Sequence, residues 1–117
     1  MRPRGERGAA TAELALSIPL LVSLTIGLVW LLSIGSAQVQ MVDAAREAAR
    51  AAARGDPVTE AVSRGEQTAP GAAVTVTVGD GMAVATATGE VGPPGGLFGF
   101  LPQVHLHARA VTAAESP

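Results

Sequence analysis

"ELALSIPLLVSLTIGLVWLLSIGSAQVQMVD", residues Glu13–Asp43, holds 29 residues without a charge between its two terminal acids. A helix needs about 20 apolar residues to cross a bilayer, and Leu14–Ile34 supplies them. A core helix of a soluble domain would need apolar partners to cover it. The rest of this 117-residue chain is rich in Gly and Ala, and Trp30, Phe98 and Phe100 are its only aromatics. It is too small to bury such a run, so the stretch reads as a membrane-inserted helix with its transmembrane segment at about 14–36.

Composition narrows the remaining classes. The chain has room for one small domain. Without cysteine it has neither a disulfide framework nor a thiolate metal site. All eight basic residues are arginine, and the net charge of -2 argues against a nucleic-acid partner, which needs a basic face. Arg2, Arg4 and Arg7 precede the apolar run, with Glu6; Arg46, Arg50 and Arg54 follow it, with Asp43 and Glu47. This near tie does not set orientation by the positive-inside rule. The longer segment after the run is the natural exported domain, which places the N-terminus inside.

Three processed forms are open. Signal-peptidase cleavage at "GSA" (Gly35–Ala37) would release a small secreted binding module, but the apolar region exceeds the ~7–15 residues of such signals. An uncleaved single-pass envelope protein accounts for the length and leaves Glu13 without a purpose. The third form is cleavage after Gly8.

The short basic leader Met1–Gly8, a new N-terminus at Ala9, Glu13 as fifth residue and the apolar run directly after it together resemble prepilin-peptidase substrates of the type IV pilin kind. Within that group the pattern is most similar to the TadE-like minor pilins, or pseudopilins, of the tight-adherence (Tad) pilus. Pro19 fits that pattern; Leu14 stands where those proteins have an aromatic. "SAQVQMVDAAREAARAAARGD" (Ser36–Asp56) is similar to their Ala- and Arg-rich helix extension, and the Val/Thr segments beyond it to their small sheet. The resemblance implies processing between Gly8 and Ala9 by a prepilin peptidase. It implies that the Glu13 carboxylate pairs with the N-terminal amine of a neighbouring subunit during assembly. It implies other pilin subunits and the pilus assembly platform as partners. The implied place is the bacterial cytoplasmic membrane, N-terminus inside and C-terminal domain outside, with passage to a surface pilus.

Physical chemistry gives Glu13 the same weight. An ionised side chain deep in a bilayer costs at least ~2.5–3.5 kcal/mol, so such residues have partners. Cleavage after Gly8 would put an α-amino group one helical turn away. A negative charge in a helix's first turn also complements the macrodipole. The plainer alternative is a Glu that snorkels into the head groups.

From Ala9 to Arg54 the sequence reads as one helix of roughly 70 Å at ~1.5 Å per residue, with Pro19, Gly27 and Gly35 as weak points. "RGDP" should end it, with Gly55 past the last turn and Pro57 unable to continue. Arg46, Arg50 and Arg54 form a stripe, and Asp43–Arg46 and Glu47–Arg50 are spaced as ion pairs. Ala44, Ala45, Ala48, Ala49, Ala52 and Ala53 leave a surface of small side chains, suited to close helix packing in a filament core or simply to helix formation.

After a short helical or irregular segment, Pro57–Gly71, the period switches to two. Val74, Val76 and Val78 alternate with Thr75 and Thr77; "GDG" (Gly79–Gly81) signals a hairpin; Met82–Thr88 and Val104–Thr112 alternate again. The expected fold is α+β: a leader at 1–8, a long transmembrane and amphipathic helix at 9–55, and a small extracytoplasmic domain at 56–117. That domain is a three-stranded antiparallel meander packed on the outer part of the helix, too small to stand without it.

"LFGFLP" offers Leu97, Phe98, Phe100 and Leu101 as a candidate interaction loop, although both Phe rings covering the sheet is the favoured reading. His105 and His107 share a strand face with Arg109, which would oppose a cation, so no metal is expected, and no cofactor. No nucleophile–base–orienter set or phosphate loop marks an enzyme.

Overall fold

The computed structural model describes residues 4–115; Met1–Pro3 of the expected leader and the last two residues lie outside them. Helix α1 spans Arg4–Ala53 and α2 spans Val58–Thr68. They are followed by β1 (Ala73–Gly79), β2 (Met82–Val91), a 3-10 turn (Gly96–Phe98) and β3 (Val104–Ala113). The molecule is a rod of 88 × 22 × 20 Å, and α1 is its axis. Residues 4–8 are helical too, so α1 runs without a break from the expected leader into the apolar run.

The stop at the far end is built as the sequence requires. Gly55 has φ 97°, a left-handed conformation that suits glycine. Its N–H donates to the Ala52 carbonyl, and that of Asp56 to the Ala51 carbonyl, which is the Schellman pattern. Pro57 then precedes α2.

The strands form one sheet in the order β1-β2-β3, antiparallel throughout. Gly79 pairs with Met82, leaving Asp80 (φ 52°) and Gly81 (φ 74°) as the turn. Two positive φ values in a two-residue loop are the type I′ geometry that matches strand twist. On β3, Leu106 and Ala108 face inward while His105, His107 and Arg109 face out.

Fourteen of the eighteen buried apolar residues among those described are alanine, and no large side chain is fully buried. Ala44, Ala45, Ala48, Ala49, Ala51, Ala52 and Ala53 of α1 meet Ala61 of α2 and Ala83, Ala85 and Ala87 of β2, with Met41, Val74, Val76 and Leu106 filling between them. The alanine surface that the sequence suggested for packing between subunits is thus consumed inside the chain. Small side chains on both elements let the backbones approach closely, and that closeness replaces side-chain bulk.

One such close approach is at Gly65 of α2. A Cβ there would lie 3.0 Å from Val74 Cγ1, 3.2 Å from the Ala44 carbonyl oxygen and 3.2 Å from Ala48 Cβ. Helix propensity favours alanine over glycine by ~1 kcal/mol, but overpacking costs about 1–3 kcal/mol, and here one obstacle is backbone. Gly65→Ala is therefore expected to destabilise the fold by about 1 kcal/mol net and to lower the thermal midpoint in detergent. An unchanged or higher midpoint would show that α2 can lift off α1 freely.

Candidate assembly and processing segment

Gly8 and Ala9 lie in the early turns of α1, and Glu13 one turn beyond Ala9, all exposed. The Ser17 hydroxyl donates to the Glu13 backbone carbonyl at 2.6 Å. Further along, Thr25 donates to the Leu21 carbonyl at 2.9 Å and Ser33 to the Trp30 carbonyl at 2.7 Å. These hydroxyls are satisfied within the helix. The Glu13 side chain makes no ion pair with any described side chain. A carboxylate thus opens the apolar run without an ionic partner among the described side chains.

Gly8 is also unexplained by the fold. A Cβ built on it meets nothing within 4 Å, and its φ is not positive. Alanine there would favour the helix by ~1 kcal/mol. Gly5 and Gly35 are equally open.

The apolar run of α1 is long and apolar enough to cross a bilayer, and none of its most apolar window is buried. Leu14, Leu16, Ile18, Leu20, Leu21 and Leu24 are all exposed. From Ser23 onward one face becomes partly covered: Ser23, Gly27, Trp30, Ile34, Ala37 and then buried Met41. Those steps of three and four residues trace one side of the helix, down which the β-rich head leans.

Two side chains tie the head to this face. Trp30 Nε1 donates to the Gly92 carbonyl at 2.9 Å, and Gln38 Nε2 donates to the His107 carbonyl at 3.0 Å. At the other end the Glu115 N–H donates to the Ala53 carbonyl at 2.9 Å. Neither tether was foreseen from the sequence. A lone Trp within the apolar run was the only available signal, and nothing in the sequence named its acceptor.

The "LFGFLP" loop splits. Phe98 turns inward onto α1, where a Cβ on Gly27 would lie 3.4 Å from its ring. Phe100 remains 82% exposed and so does not cover the sheet, contrary to the favoured expectation. Leu101 is half-buried, and the side chain of Leu97 lies outside the described set.

Charged residues clip the outer helices together. Arg64 reaches Glu47 at 3.7 Å, Glu60 at 3.6 Å and Asp56 at 4.0 Å. Glu47 also pairs with Arg50 at 3.9 Å, as its spacing suggested, whereas Asp43 and Arg46 do not pair. Such exposed pairs contribute ~0–1 kcal/mol each. His105 Nδ1 lies 3.0 Å from Glu90 Oε1.

Residues 8–50 match a family described as TadE-like protein, and the matched segment begins at Gly8. A Mycobacterium tuberculosis (strain ATCC 25618 / H37Rv) protein named Apoptosis inhibitor Rv3655c is 39% identical over 104 residues, 88% of this chain and 77% of its own. No solved structure matches significantly.

Trp30→Phe keeps an aromatic ring, though a smaller one, and removes the donor to Gly92. Amides of residues 95–101 are expected to exchange several-fold faster, since losing one hydrogen bond costs about 1 kcal/mol. Unchanged exchange would show that Phe98 packing alone holds the loop.

Proposed function

This chain belongs to the TadE-like family, and from that premise we propose that it is the precursor of a minor pilin of a Tad-type pilus, cut between Gly8 and Ala9 by a prepilin peptidase. Its role is structural rather than catalytic: it enters or primes the filament through the exposed apolar helix. The orientation proposed is N-terminus inside and head outside. Its partners are the membrane, the peptidase, other pilin subunits and the assembly platform.

One observation carries this reading. Among the described residues the fold gives no internal reason for Gly8 and no ionic partner to Glu13, while processing and assembly give a reason for both. Cleavage creates an α-amino group at Ala9, and a neighbouring subunit's amine neutralises the carboxylate in a medium where an unpaired charge costs at least ~2.5–3.5 kcal/mol. The alternative cut near Ala37 would sever α1 where Ala37 packs against the core and Gln38 holds His107. The head would lose the Trp30 tether to Gly92 and the Ala37 contact.

The intact mass of the protein extracted from its host's membranes tests the reading. A chain beginning at Ala9 is expected; one beginning at Gln38 or at the original N-terminus would overturn it. Glu13→Gln should leave that mass pattern intact and reduce assembled subunit about tenfold or more, as expected for a lost charge-assisted bond of ~1.5–3 kcal/mol. Unimpaired assembly would remove the pairing role.

A further inference from the structure

The connection between β2 and β3, residues 92–103, carries no charged residue. It descends along α1 to Gly27 and Trp30, well inside the apolar run. If Glu13 marks the inner edge of a hydrocarbon layer ~30 Å thick, the outer edge falls about 20 residues on at ~1.5 Å per residue, near Ser33. Gly27–Trp30 then lies roughly 5–9 Å below that edge. At this level the neighbouring surface of α1 is apolar: Leu28, Val29, Leu31 and Leu32 are all exposed. Phe100, two positions from the Phe98 ring that lies on Gly27, is 82% exposed.

We propose that this loop is a second membrane anchor, with Phe100 and Leu101 inserted among the lipids of the outer leaflet beside Trp30. The occupant is lipid, because the loop shares its level on the rod with side chains of α1 that have nothing else to face.

The loop's backbone suits such a place. Irregular backbone is excluded from the hydrocarbon when its polar groups are left unbonded. Here Pro93, Pro94 and Pro102 have no N–H. The N–H groups of Phe98, Gly99 and Leu101 donate to the carbonyls of Gly95, Gly96 and Phe98, and the Gly92 carbonyl accepts from Trp30. These bonds and prolines reduce the unbonded backbone that a shallow position would bring beneath the hydrocarbon edge, and Trp is a residue type enriched near that edge. Loop and Trp30 together fix how far α1 sinks and hold the head against the bilayer surface before any assembly.

This inference rests on α1 crossing a membrane, and the test separates the two. The chain has no native cysteine, so Phe100→Cys, Leu21→Cys and Asp80→Cys can each carry one nitroxide label. The full-length protein is reconstituted into phosphatidylcholine–phosphatidylglycerol vesicles, and collision with oxygen and with a water-soluble nickel chelate is measured by paramagnetic resonance. Phe100 and Asp80 are exposed, so the labels are accommodated without repacking. Leu21 and Phe100 labels are expected to be accessible to oxygen and at least several-fold less accessible to nickel than Asp80, which sits in the hairpin at the far end. Nickel access at Phe100 equal to that at Asp80, with Leu21 protected, would overturn the loop anchor alone. Nickel access at Leu21 would overturn the spanning helix, and the loop anchor with it.

Discussion

Alanine against alanine is the contact on which the rest of this structure depends. The outer third of α1 presents Ala44, Ala45, Ala48, Ala49, Ala51 and Ala52, and β2 presents Ala83, Ala85 and Ala87, all buried. Each buried methyl contributes only ~0.8 kcal/mol, against ~1.5–3 kcal/mol for a large apolar side chain. A core made this way holds because the backbones lie close and because one of its two layers is already a rigid helix. The head therefore has no core without α1.

That dependence links fold to function. One helix serves as both the apolar segment and the floor of the head, so the two cannot move as separate bodies joined by a linker. Trp30 and Gln38 extend the attachment below the alanine seam, and the Glu115–Ala53 bond closes it above. A subunit drawn into a filament by its N-terminal helix would carry its head in a set orientation. The helix's first half, from Gly8 to about Leu24, keeps its apolar surface exposed.

Much of this was legible in the sequence because the signals were local. Gly55 before Asp56–Pro57 ends a helix by backbone conformation, Asp80–Gly81 closes a hairpin by positive φ, and alternating Val/Thr marks strands; all three stand in the structure. The Gly8–Glu13 spacing pointed to the family, which the match over residues 8–50 and the 39% identical relative show. What could not be read was which partner each small residue meets. The alanine stripe has the same sequence whether it faces another subunit or its own sheet, and only the sheet's placement decides. Gly65 carried no signal in the sequence, yet a Cβ there would meet both the Ala44 carbonyl oxygen and Ala48 Cβ of α1 at 3.2 Å. Phe98 and Phe100, two positions apart in one loop, part company: one lies on Gly27 and the other remains exposed.

The central claim is that helix and sheet form one cooperative unit sealed by alanine. Native-state hydrogen exchange in detergent micelles across a denaturant series tests it most directly. Amides of Ala48–Ala53 in α1 and of Ala83–Ala87 in β2 should open with the same free energy and the same denaturant dependence. Sheet amides that exchange through a much smaller opening while the α1 amides stay protected would contradict it, because the head would then unfold on an intact helix.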